Sequence, residues 1–405
     1  MSKGKVFNDP IHGFISVKNP IDMALIDHPY FQRLRRISQL GLSYLVYPGA
    51  HHTRFHHALG AYHLMKLAVQ SLREKNIDIT LDEEEAVKRC ILLHDIGHGP
   101  FSHALENSIV EGISHEEISL KLMHYFNQKY DAKLDLTIEM FQKRHPKKFL
   151  NELISSQLDI DRLDYLKRDS FFTGVSEGVI NTDRLISMFN VVDHNLVIEQ
   201  KAIYSVEKFI LARRLMYWQV YLHKTVLAAE LMLEGILKRA KLLAGQGVDL
   251  PSSPHLSFFL NEQLKRSDFD TKTVLDHFCS LDDVDVMASI KTWVNHPDHI
   301  LSMLCERLLN RKLYKLQFFD DNETERFQTR KAELTKTIKA SGADLEYYLF
   351  EGQLNQSIYD PQKDIIRMAL KNGDLEPFGQ SSKNINMGLL TGFNSKNYLC
   401  FSNSL

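Results

Sequence analysis

Residues 93–103 read Leu-His-Asp-Ile-Gly-His-Gly-Pro-Phe-Ser-His, and this stretch decides both the fold and the chemistry that the sequence predicts. The apolar spacing over residues 81–93 predicts an amphipathic helix that delivers His94 and Asp95 at its C-terminal end. Two glycines and a proline then break the helix. Adjacent side chains at a helix end can converge on one point, and His98 lies one turn further on. The pattern therefore indicates a small site built from histidine and aspartate.

Histidine is concentrated around this stretch. Of the 19 histidines, nine fall between His51 and His115. Imidazole nitrogens together with one or two carboxylate oxygens suit an octahedral metal such as Mn²⁺ or Fe²⁺ with open water positions. A metal of this kind lowers the pKa of water bound to it and polarises a phosphoryl oxygen. A lone His–Asp pair is more often a surface salt bridge or a core histidine, so the case for a metal depends on the neighbouring segments.

Three further segments carry side chains of the same kinds. They are Thr53–Gly60 (TRFHHALG), Ser114–Glu117 (SHEE) and Leu158–Tyr165 (LDIDRLDY). The second segment is a capping box, which places His115 in the first turn of a helix. In the third segment, Asp161 and Asp164 share a helix face, and Arg168 lies four residues after Asp164. We therefore interpret Asp164 as the ion-pair partner of Arg168 and Asp161 as the metal ligand.

The composition is that of an ordinary globular protein, with 44% hydrophobic and 25% charged residues among 405. It excludes a disordered or fibrous chain. With 49 basic and 51 acidic side chains the formal net charge is −2, so the chain exerts no global attraction on nucleic acid or anionic lipid. There is no apolar signal core and no apolar run long enough to span a bilayer, so we expect a cytoplasmic protein with no membrane partner. Four widely spaced cysteines indicate reduced thiols.

Helical periodicity dominates from residue 20 to about residue 243, after an N-terminal hairpin or extended arm in residues 1–20. The predicted helices include residues 21–40, 53–75, 81–93, 157–168 and 206–243. Residues 244–254 are rich in Gly, Pro and Ser and predict a linker. Beyond the linker we predict helical stretches at 258–266, 282–310 and 323–340, and strand-like pieces at 313–319, 346–350 and 398–401. The predicted fold is mainly α, with a helical core in residues 1–243 and a smaller mixed α+β C-terminal lobe in residues 255–405.

Several short motifs keep an order and spacing that are found together in one family. They are NDPIHG (8–13), FQRLR (31–35), QLG (39–41), PGA (48–50), RFHH (54–57), HDIGHGPFSH (94–103) and DRLDY (161–165). In these motifs the sequence resembles the HD-domain phosphohydrolases, specifically their dNTP triphosphohydrolase branch, over roughly the first 240 residues. The pattern is similar to that of the SAM-and-HD-domain enzymes without the SAM domain, since only a few residues precede the arm. The resemblance implies that the helical core is an HD domain.

The resemblance implies a role for each matching residue. The metal ligands would be His57, His94, Asp95 and Asp161, and they would hold a divalent ion (Mn²⁺, Fe²⁺ or Mg²⁺). The residues around the scissile phosphate would be His98, His103, Glu106 and His115. The substrate-binding residues would be Gln39 and Leu40 at the sugar, Arg54, Arg162 and Arg213 at the triphosphate, and Tyr165, Asp169 and Tyr221 along the sugar and phosphate pocket.

The resemblance also implies a nucleotide effector that binds between subunits. The matching residues are Lys5, Val6, Asn8, Asp27, Gln32, Arg35 and Val46, although Phe14 replaces a histidine of the related enzyme. The carboxylate and guanidinium of this set can form one polar patch that pairs with a guanine edge and with phosphates. We therefore expect a homodimer or homotetramer that GTP or dGTP activates. The alternative interpretation is that these residues are ordinary surface charges.

The chain departs from the family pattern at a few positions. Ala58 replaces a common serine, and Arg162 replaces a common lysine while keeping its charge. The part beyond about residue 255 resembles the family only in general character. Base preference and effector response therefore do not follow from the resemblance.

The reaction that the resemblance implies is metal-dependent hydrolysis of a dNTP substrate to a deoxynucleoside and inorganic triphosphate. The 5′-alkoxide is a poor leaving group, and a histidine such as His103 or His115 can give it a proton near neutral pH. The triphosphate is strongly anionic, so arginine side chains must be presented locally. Tyr221 against the sugar C2′ would exclude a ribose hydroxyl and so select deoxynucleotides.

Two other interpretations stay open. The first is a different HD-type reaction at the same metal site, by a phosphodiesterase or a nucleoside monophosphatase. The sugar-facing pair Gln39 and Leu40 and the several arginines argue against a monophosphate substrate. The second is a regulator that binds a nucleotide or single-stranded nucleic acid without catalysis. A complete ligand set argues against that interpretation, because a site that no longer catalyses usually loses a ligand.

Overall fold

The N-terminal arm is a β-hairpin, as the sequence predicts. The structure is a computed structural model that describes residues 4–102, 112–356, 365–382 and 394–403. Strands β1 (Lys5–Asp9) and β2 (Gly13–Val17) pair antiparallel. At the turn, the Asp9 carboxylate accepts hydrogen bonds of 2.9 Å from the backbone amides of Ile11 and His12. This side-chain-to-backbone turn fixes the position of His12.

Helices follow the hairpin and form the larger part of the fold, which confirms the mainly α prediction. Up to residue 187 they are α1 (Pro20–Asp27), α2 (Pro29–Gln32), α3 (Arg54–Glu74), α4 (Leu81–Leu93), α5 (His115–Lys129), α6 (Asp135–Phe141), α7 (Lys148–Ile154), α8 (Ile160–Thr173) and α9 (Thr182–Ser187). The predicted helices at 53–75 and 81–93 are confirmed almost to the residue. Helix α4 begins after a capping box in which Thr80 and Glu83 satisfy each other's backbone amides.

The predicted helix over residues 21–40 is wrong beyond Asp27. His28 is extended, with φ −66° and ψ 138°, because the residue before a proline is disfavoured in the helical region. Pro29 then opens the short helix α2, and a 3₁₀ turn follows at Arg33–Arg36. The remaining residues form an irregular segment that pairs with Thr53 through a single β-bridge from Ser38. This irregular segment carries the QLG motif.

From residue 189 to residue 309 a second group of elements follows. They are β3 (Phe189–Val192), β4 (Asn195–Glu199), α10 (Ile203–Met216), α11 (Lys224–Gly245), α12 (Pro254–Asn261), α13 (Lys272–Phe278), α14 (Asp283–Trp293) and α15 (His299–Leu309). The β3–β4 hairpin contradicts the prediction of helix almost throughout this region. Its turn residues Asp193 and His194 have φ of 48° and 62°, a backbone conformation that suits a tight hairpin turn.

The predicted helix over residues 206–243 is interrupted between α10 and α11. Residues Tyr217–Tyr221 form a π turn, and His223 then caps α11 by accepting from the amide of Thr225. A π turn shifts the side chains that follow it around the helix axis, and such turns are frequent at functional sites. Here the turn presents Tyr217 and Tyr221 to the cavity described below.

The C-terminal part mixes helices with two small sheets, as predicted. Its elements are β5 (Lys315–Asp320), α16 (Thr324–Ala340), α17 (Leu345–Tyr348), β6 (Leu349–Gln356), β7 (Arg367–Ala369), β8 (Leu375–Pro377), α18 (Phe378–Ser381) and β9 (Asn394–Phe401). The strand orders are β5-β9-β6 and β3-β4-β7-β8, and β7 runs parallel to β4. The second sheet therefore joins the C-terminal part to the hairpin that precedes α10.

Helix α3 lies between two apolar cores. Phe55 and Leu59 belong to a cluster with the hairpin, α1, α11 and α14, whereas Leu64 and Met65 belong to a cluster with α4, α8 and α10. The first cluster contains residues from both sides of residues 244–254, where we predict a linker, and the division into two domains stays a prediction. The prediction of free thiols is confirmed, because all four cysteines are unpaired and buried. Among the described residues no helix combines the length and apolarity needed to cross a bilayer.

Gly60 sets the approach of α3 to α8. A Cβ atom at residue 60 would overlap Asp164 Oδ1 and Arg168 Nη2, two buried side chains of α8. Because residue 60 has no side chain, α3 and α8 approach closely enough for α3 to contact the Asp164–Arg168 ion pair of α8. The same helix contact brings His57 of α3 to Asp164.

Replacing Gly60 with alanine should destabilise the protein, because the added methyl group must push apart a buried ion pair. We expect Gly60→Ala to lower the free energy of unfolding by about 1–3 kcal/mol, measured by calorimetry. The matched control is Gly245→Ala at the end of α11, where a Cβ atom meets nothing within 4 Å. The control should be neutral or slightly stabilising. Equal melting temperatures for the two variants would contradict this account of the α3–α8 contact.

Candidate active site

Three segments from distant parts of the sequence bring the predicted metal ligands together. The first turn of α3 carries His57, the C-terminal end of α4 is followed by His94 and Asp95, and the first turn of α8 carries Asp161. Each position lies at a helix end, where a side chain can reach beyond the backbone. Asp159 fixes the start of α8, because its carboxylate accepts a hydrogen bond of 2.8 Å from the amide of Arg162.

The ligand atoms of these side chains converge. His57 Nε2 lies 3.0 Å from Asp161 Oδ1, and His94 Nε2 lies 3.4 Å from the same oxygen. Asp95 closes the set, with Oδ1 3.2 Å from His94 Nε2 and Oδ2 3.8 Å from His57 Nε2. The four predicted ligands therefore form one cluster of two nitrogens and two carboxylates.

The cluster has the chemistry that a divalent metal requires. The Nε2 atoms of His57 and His94 are buried, and no hydrogen bond of acceptable geometry reaches either atom within the described part of the chain. Buried polar atoms without a partner are rare and point to a missing ion or water. Two imidazole nitrogens with carboxylate oxygens suit Mn²⁺ or Fe²⁺, so these residues fit a divalent ion.

Hydrogen bonds on the far side of each imidazole hold the ring in place. His57 Nδ1 lies 2.8 Å from Asp164 Oδ2, and His94 Nδ1 lies 2.7 Å from the carbonyl oxygen of Ile91. When Nδ1 donates to these oxygens, Nε2 is left as the lone-pair nitrogen facing the cluster. Metal-binding histidines are oriented in this way in most proteins.

Asp164 is more than the partner of Arg168 that the sequence predicts. It is fully buried and accepts from Arg168 Nε and Nη2 at 2.9 Å, from His57, and from His12 Nε2 at 2.7 Å. Arg168 in turn donates to Asp9 at 2.8 Å. The Asp164–Arg168 spacing is the one sign of this network in the sequence, because His12 lies 152 residues before Asp164.

The charges of the cluster depend on one another. Burial disfavours the charged form of His57, but the carboxylates of Asp161 and Asp164 outweigh burial and raise the pKa of His57 to about 10. Burial likewise opposes ionisation of Asp161, yet His57 and His94 hold the pKa of that carboxyl well below its usual range. The same balance, with His94 and Arg54 as the cations, lowers the pKa of Asp95. The carboxylates of the cluster therefore stabilise a positive charge that lies between them.

A cavity of about 380 Å³ opens beside this cluster. Its lining residues come from the QLG segment, α3, the turn after α4, α5, α8, the π turn and α11. They are Gln39, Leu40, Gly41, Ser43, Arg54, Asp95, His98, Phe101, Ser102, His115, Asp161, Arg162, Tyr165, Asp169, Tyr217, Tyr221 and Glu230. The volume is typical of a pocket for a small molecule.

Two of the predicted catalytic residues lie together at this cavity. The rings of His98 and His115 stack with centroids 3.9 Å apart, and their nitrogens lie within 4.8 Å of an Asp95 oxygen. Burial and the nearby Arg54 guanidinium lower the pKa of His98. The other two predicted catalytic residues, His103 and Glu106, lie outside the described residues.

The predicted substrate residues also line the cavity, with one exception. Arg54 donates to Asp95 and, at 2.9 Å, to Ser102, while Arg162 donates to Asp159 at 2.7 Å. Arg213 is absent from the cavity wall and instead donates to Gln157 at 3.0 Å. Its guanidinium is partly covered by the π turn, so its predicted role at the triphosphate stays a prediction.

Asp169 receives a partner that the sequence did not indicate. His52 Nε2 lies 2.7 Å from Asp169 Oδ1, and the Tyr221 hydroxyl donates to Oδ2 at 2.8 Å. His52 is buried and stacks on Phe172, so its ring is fixed. Nothing in the spacing of the sequence could connect these residues, because they come from three separate segments. Asp159 and Glu230 were likewise not identified from the sequence.

The predicted effector residues lie on and beside the hairpin. Lys5 pairs with Asp27, and Arg35 donates to Gln32 at 2.8 Å while its guanidinium covers the ring of Phe55. Val6 is largely exposed. None of the predicted effector residues lines the cavity described above. The oligomer and its guanine-nucleotide effector stay predictions.

Comparisons with known proteins agree with this geometry. A family description named HD domain matches residues 54–169, and one named HD associated region matches residues 180–247. A crystal structure of a phosphohydrolase from Bacteroides thetaiotaomicron is 46% identical, has a TM-score of 0.92, and is matched over 98% of this chain and 100% of that one. The uncharacterized protein YwfO of Bacillus subtilis is 34% identical over 94% of this chain and 88% of its own length.

A more distant relative carries a specific name. The deoxynucleoside triphosphate triphosphohydrolase SAMHD1 homolog of Dictyostelium discoideum is 32% identical over 248 residues. The match covers 56% of this chain and 48% of that protein. This chain therefore spans about half the length of that relative.

Removing Asp161 should abolish metal binding, because Asp161 Oδ1 is the oxygen that both Nε2 atoms share. We expect Asp161→Ala to lose the divalent ion and the activity together, with metal content measured by elemental analysis. The control is Asp183→Ala, which removes an exposed carboxylate from α9 and should leave metal content unchanged. If the metal content of Asp161→Ala were undiminished, a residue other than Asp161 would complete the ligand set.

Proposed function

We propose that this chain, which belongs to the HD-domain phosphohydrolase family, hydrolyses deoxynucleoside triphosphates to a deoxynucleoside and inorganic triphosphate. The observation that supports this substrate is the composition of a single cavity wall. The candidate metal ligands Asp95 and Asp161, the arginines Arg54 and Arg162, and the QLG segment all line the same space. A nucleoside triphosphate requires these three kinds of contact at once.

His57, His94, Asp95 and Asp161 would hold the divalent metal. When bound, such a metal lowers the pKa of water and polarises a phosphoryl oxygen. Asp164 and the carbonyl oxygen of Ile91 keep the two imidazoles turned toward it. The compartment in which this chemistry takes place, and the choice among Mn²⁺, Fe²⁺ and Mg²⁺, stay predictions.

The arginines would neutralise the triphosphate. Arg162 is anchored through Nη1 on Asp159, while its buried Nε has no hydrogen-bond partner among the described residues. An arginine held in this way keeps a donor for a phosphate oxygen and loses little freedom on binding. Asp159 thus orients Arg162 for the substrate.

The sugar would lie against the QLG segment and the tyrosines. Gln39 Oε1 is buried without a hydrogen-bond partner in the described ranges, so it can accept from a 3′-hydroxyl. Leu40 supplies an apolar surface beside it. Asp169, fixed by His52 and Tyr221, offers a second acceptor in the same part of the cavity.

The experiment that tests this function separates it from the two alternatives. The protein is incubated with Mn²⁺ and, in turn, each dNTP, each NTP, a dNMP and a phosphodiester, and the phosphate products are separated by anion exchange. We expect tripolyphosphate and deoxynucleoside from dNTPs. Orthophosphate from the dNMP, or cleavage of the diester, would favour another HD-type reaction. Binding of nucleotide with no product from any substrate would favour a regulator.

His115 should act as the acid that protonates the 5′-oxygen, because it lies at the cavity wall and stacks on His98. We expect His115→Ala to lower kcat by about 100-fold or more while KM and metal content stay nearly unchanged. His124→Ala, an exposed change on the same helix, is the control. A raised KM with unchanged kcat would instead make His115 a binding residue.

Tyr221 should exclude the ribose 2′-hydroxyl by its ring and not by its hydroxyl. We expect Tyr221→Ala to reduce the preference for dATP over ATP in kcat/KM by about tenfold or more. Tyr221→Phe removes only the hydrogen bond to Asp169 and should keep the preference. If Tyr221→Phe loses the preference as fully as Tyr221→Ala, the hydrogen bond to Asp169 carries the selection.

A further inference from the structure

Glu230 is the one acidic residue of the cavity wall without a partner in the described part of the chain. It lies on α11, and no hydrogen bond or ion pair joins it to any residue that the structure describes. The other acidic residues of the wall are engaged. Asp95 pairs with Arg54, Asp161 with His57, and Asp169 with His52 and Tyr221. Glu230 therefore lines the cavity with acceptors that no described residue uses.

The position of Glu230 is defined by Gly41. A Cβ atom at residue 41 would lie 3.1 Å from Glu230 Oε1 and 3.3 Å from the carbonyl oxygen of Phe101, and Gly41 has a φ of +49°. Glycine is therefore favoured at residue 41 for two reasons. The backbone has a positive φ, and there is little room for a side chain. The carboxylate lies against the residue that directly follows Gln39 and Leu40, so a base attached to a sugar at Leu40 comes within its reach.

An unpaired carboxyl in this place favours a ligand that donates hydrogen bonds. Burial raises the pKa of Glu230 to about 8, and none of the residues that the structure describes offsets this effect. A ligand with two adjacent N–H groups would supply that stabilisation, since hydrogen bonds to a charged form favour the charged form. Guanine has N1–H and N2–H side by side. Adenine and cytosine place an acceptor next to their amino group, and thymine places its N–H between two carbonyl groups.

Building on the proposed function, we infer that Glu230 is a specificity-determining residue that accepts hydrogen bonds from N1–H and N2–H of guanine. The preferred substrate of the cavity is then dGTP. The two carboxylate oxygens match the two donors, a bidentate arrangement that discriminates strongly between bases. An ionised Glu230 has no proton to donate, so a base that presents an acceptor beside its amino group makes at most one hydrogen bond with the carboxylate.

The test compares guanine with hypoxanthine, which lacks only the 2-amino group. Binding of dGTP and dITP analogues in which a methylene group replaces the 5′-oxygen is measured by calorimetry, because these analogues lack the bond that the proposed reaction breaks. We expect the wild-type chain to bind the dGTP analogue about tenfold or more tightly than the dITP analogue. In Glu230→Gln the ratio should fall to about two or less, because the amide keeps the shape but replaces one acceptor with a donor.

Glu234→Gln is the matched control. Glu234 lies one turn further along α11, is exposed, and does not line the cavity, so its variant should keep the wild-type ratio. Equal binding of the two analogues by the wild-type chain, binding of neither, or a ratio that survives in Glu230→Gln overturns the assignment. A second variant, Glu230→Asp, withdraws the carboxylate by one methylene group and should also lower the ratio, so the assignment does not depend on the folding of Glu230→Gln alone. Failure of the proposed function is seen separately, as the absence of tripolyphosphate from every dNTP.

Discussion

The buried carboxylate of Asp164 is the interaction on which the rest of the site depends. It joins the N-terminal hairpin through His12, helix α3 through His57, and its own helix through Arg168, which also pairs with Asp9. All of these groups are removed from water, so the loss of one partner would leave a buried charge and cost about 3–5 kcal/mol. A buried ion pair is weak as a source of stability. Its value here is that it fixes the ring of His57, a histidine of the candidate metal cluster.

The cavity wall combines side chains of opposite charge. Arg54 and Arg162 are cationic, Asp95 and Asp161 belong to the candidate metal cluster, and Glu230 lies against Gly41 of the QLG segment. A wall of this composition suits a ligand that carries both anionic groups and hydrogen-bond donors. The triphosphate and the base of the proposed substrate are groups of these two kinds.

The sequence predicted the local parts of this structure well and the long-range parts poorly. Helices α3 and α4 and the capping box before α5 follow from periodicity and residue spacing, which are local signals. The candidate metal cluster was predicted from the resemblance to a known family. The break at His28 had a local signal, Pro29, which the continuous apolar pattern outweighed in the prediction. The π turn and the β3–β4 hairpin were missed because tertiary packing overrides the helical pattern there. The contacts of His52, His12 and Glu230 had no local signal at all. Each pairs with, or lies against, a residue far away in the sequence, and only the folded chain brings them together.

The contact between His12 and Asp164 has a consequence for how the protein is made. The two residues are 152 positions apart, so the ribosome must add that many residues after the hairpin before the hairpin can find its partner. At ordinary rates of synthesis this interval is about 10–30 s. During that time Asp164 has not been synthesised, so neither His12 nor His57 has the carboxylate that orients it. Helix α11, which contributes to the cavity wall, is synthesised later still. The nascent chain therefore cannot complete the candidate metal cluster, with the carboxylate that orients it, until about two fifths of it has been synthesised.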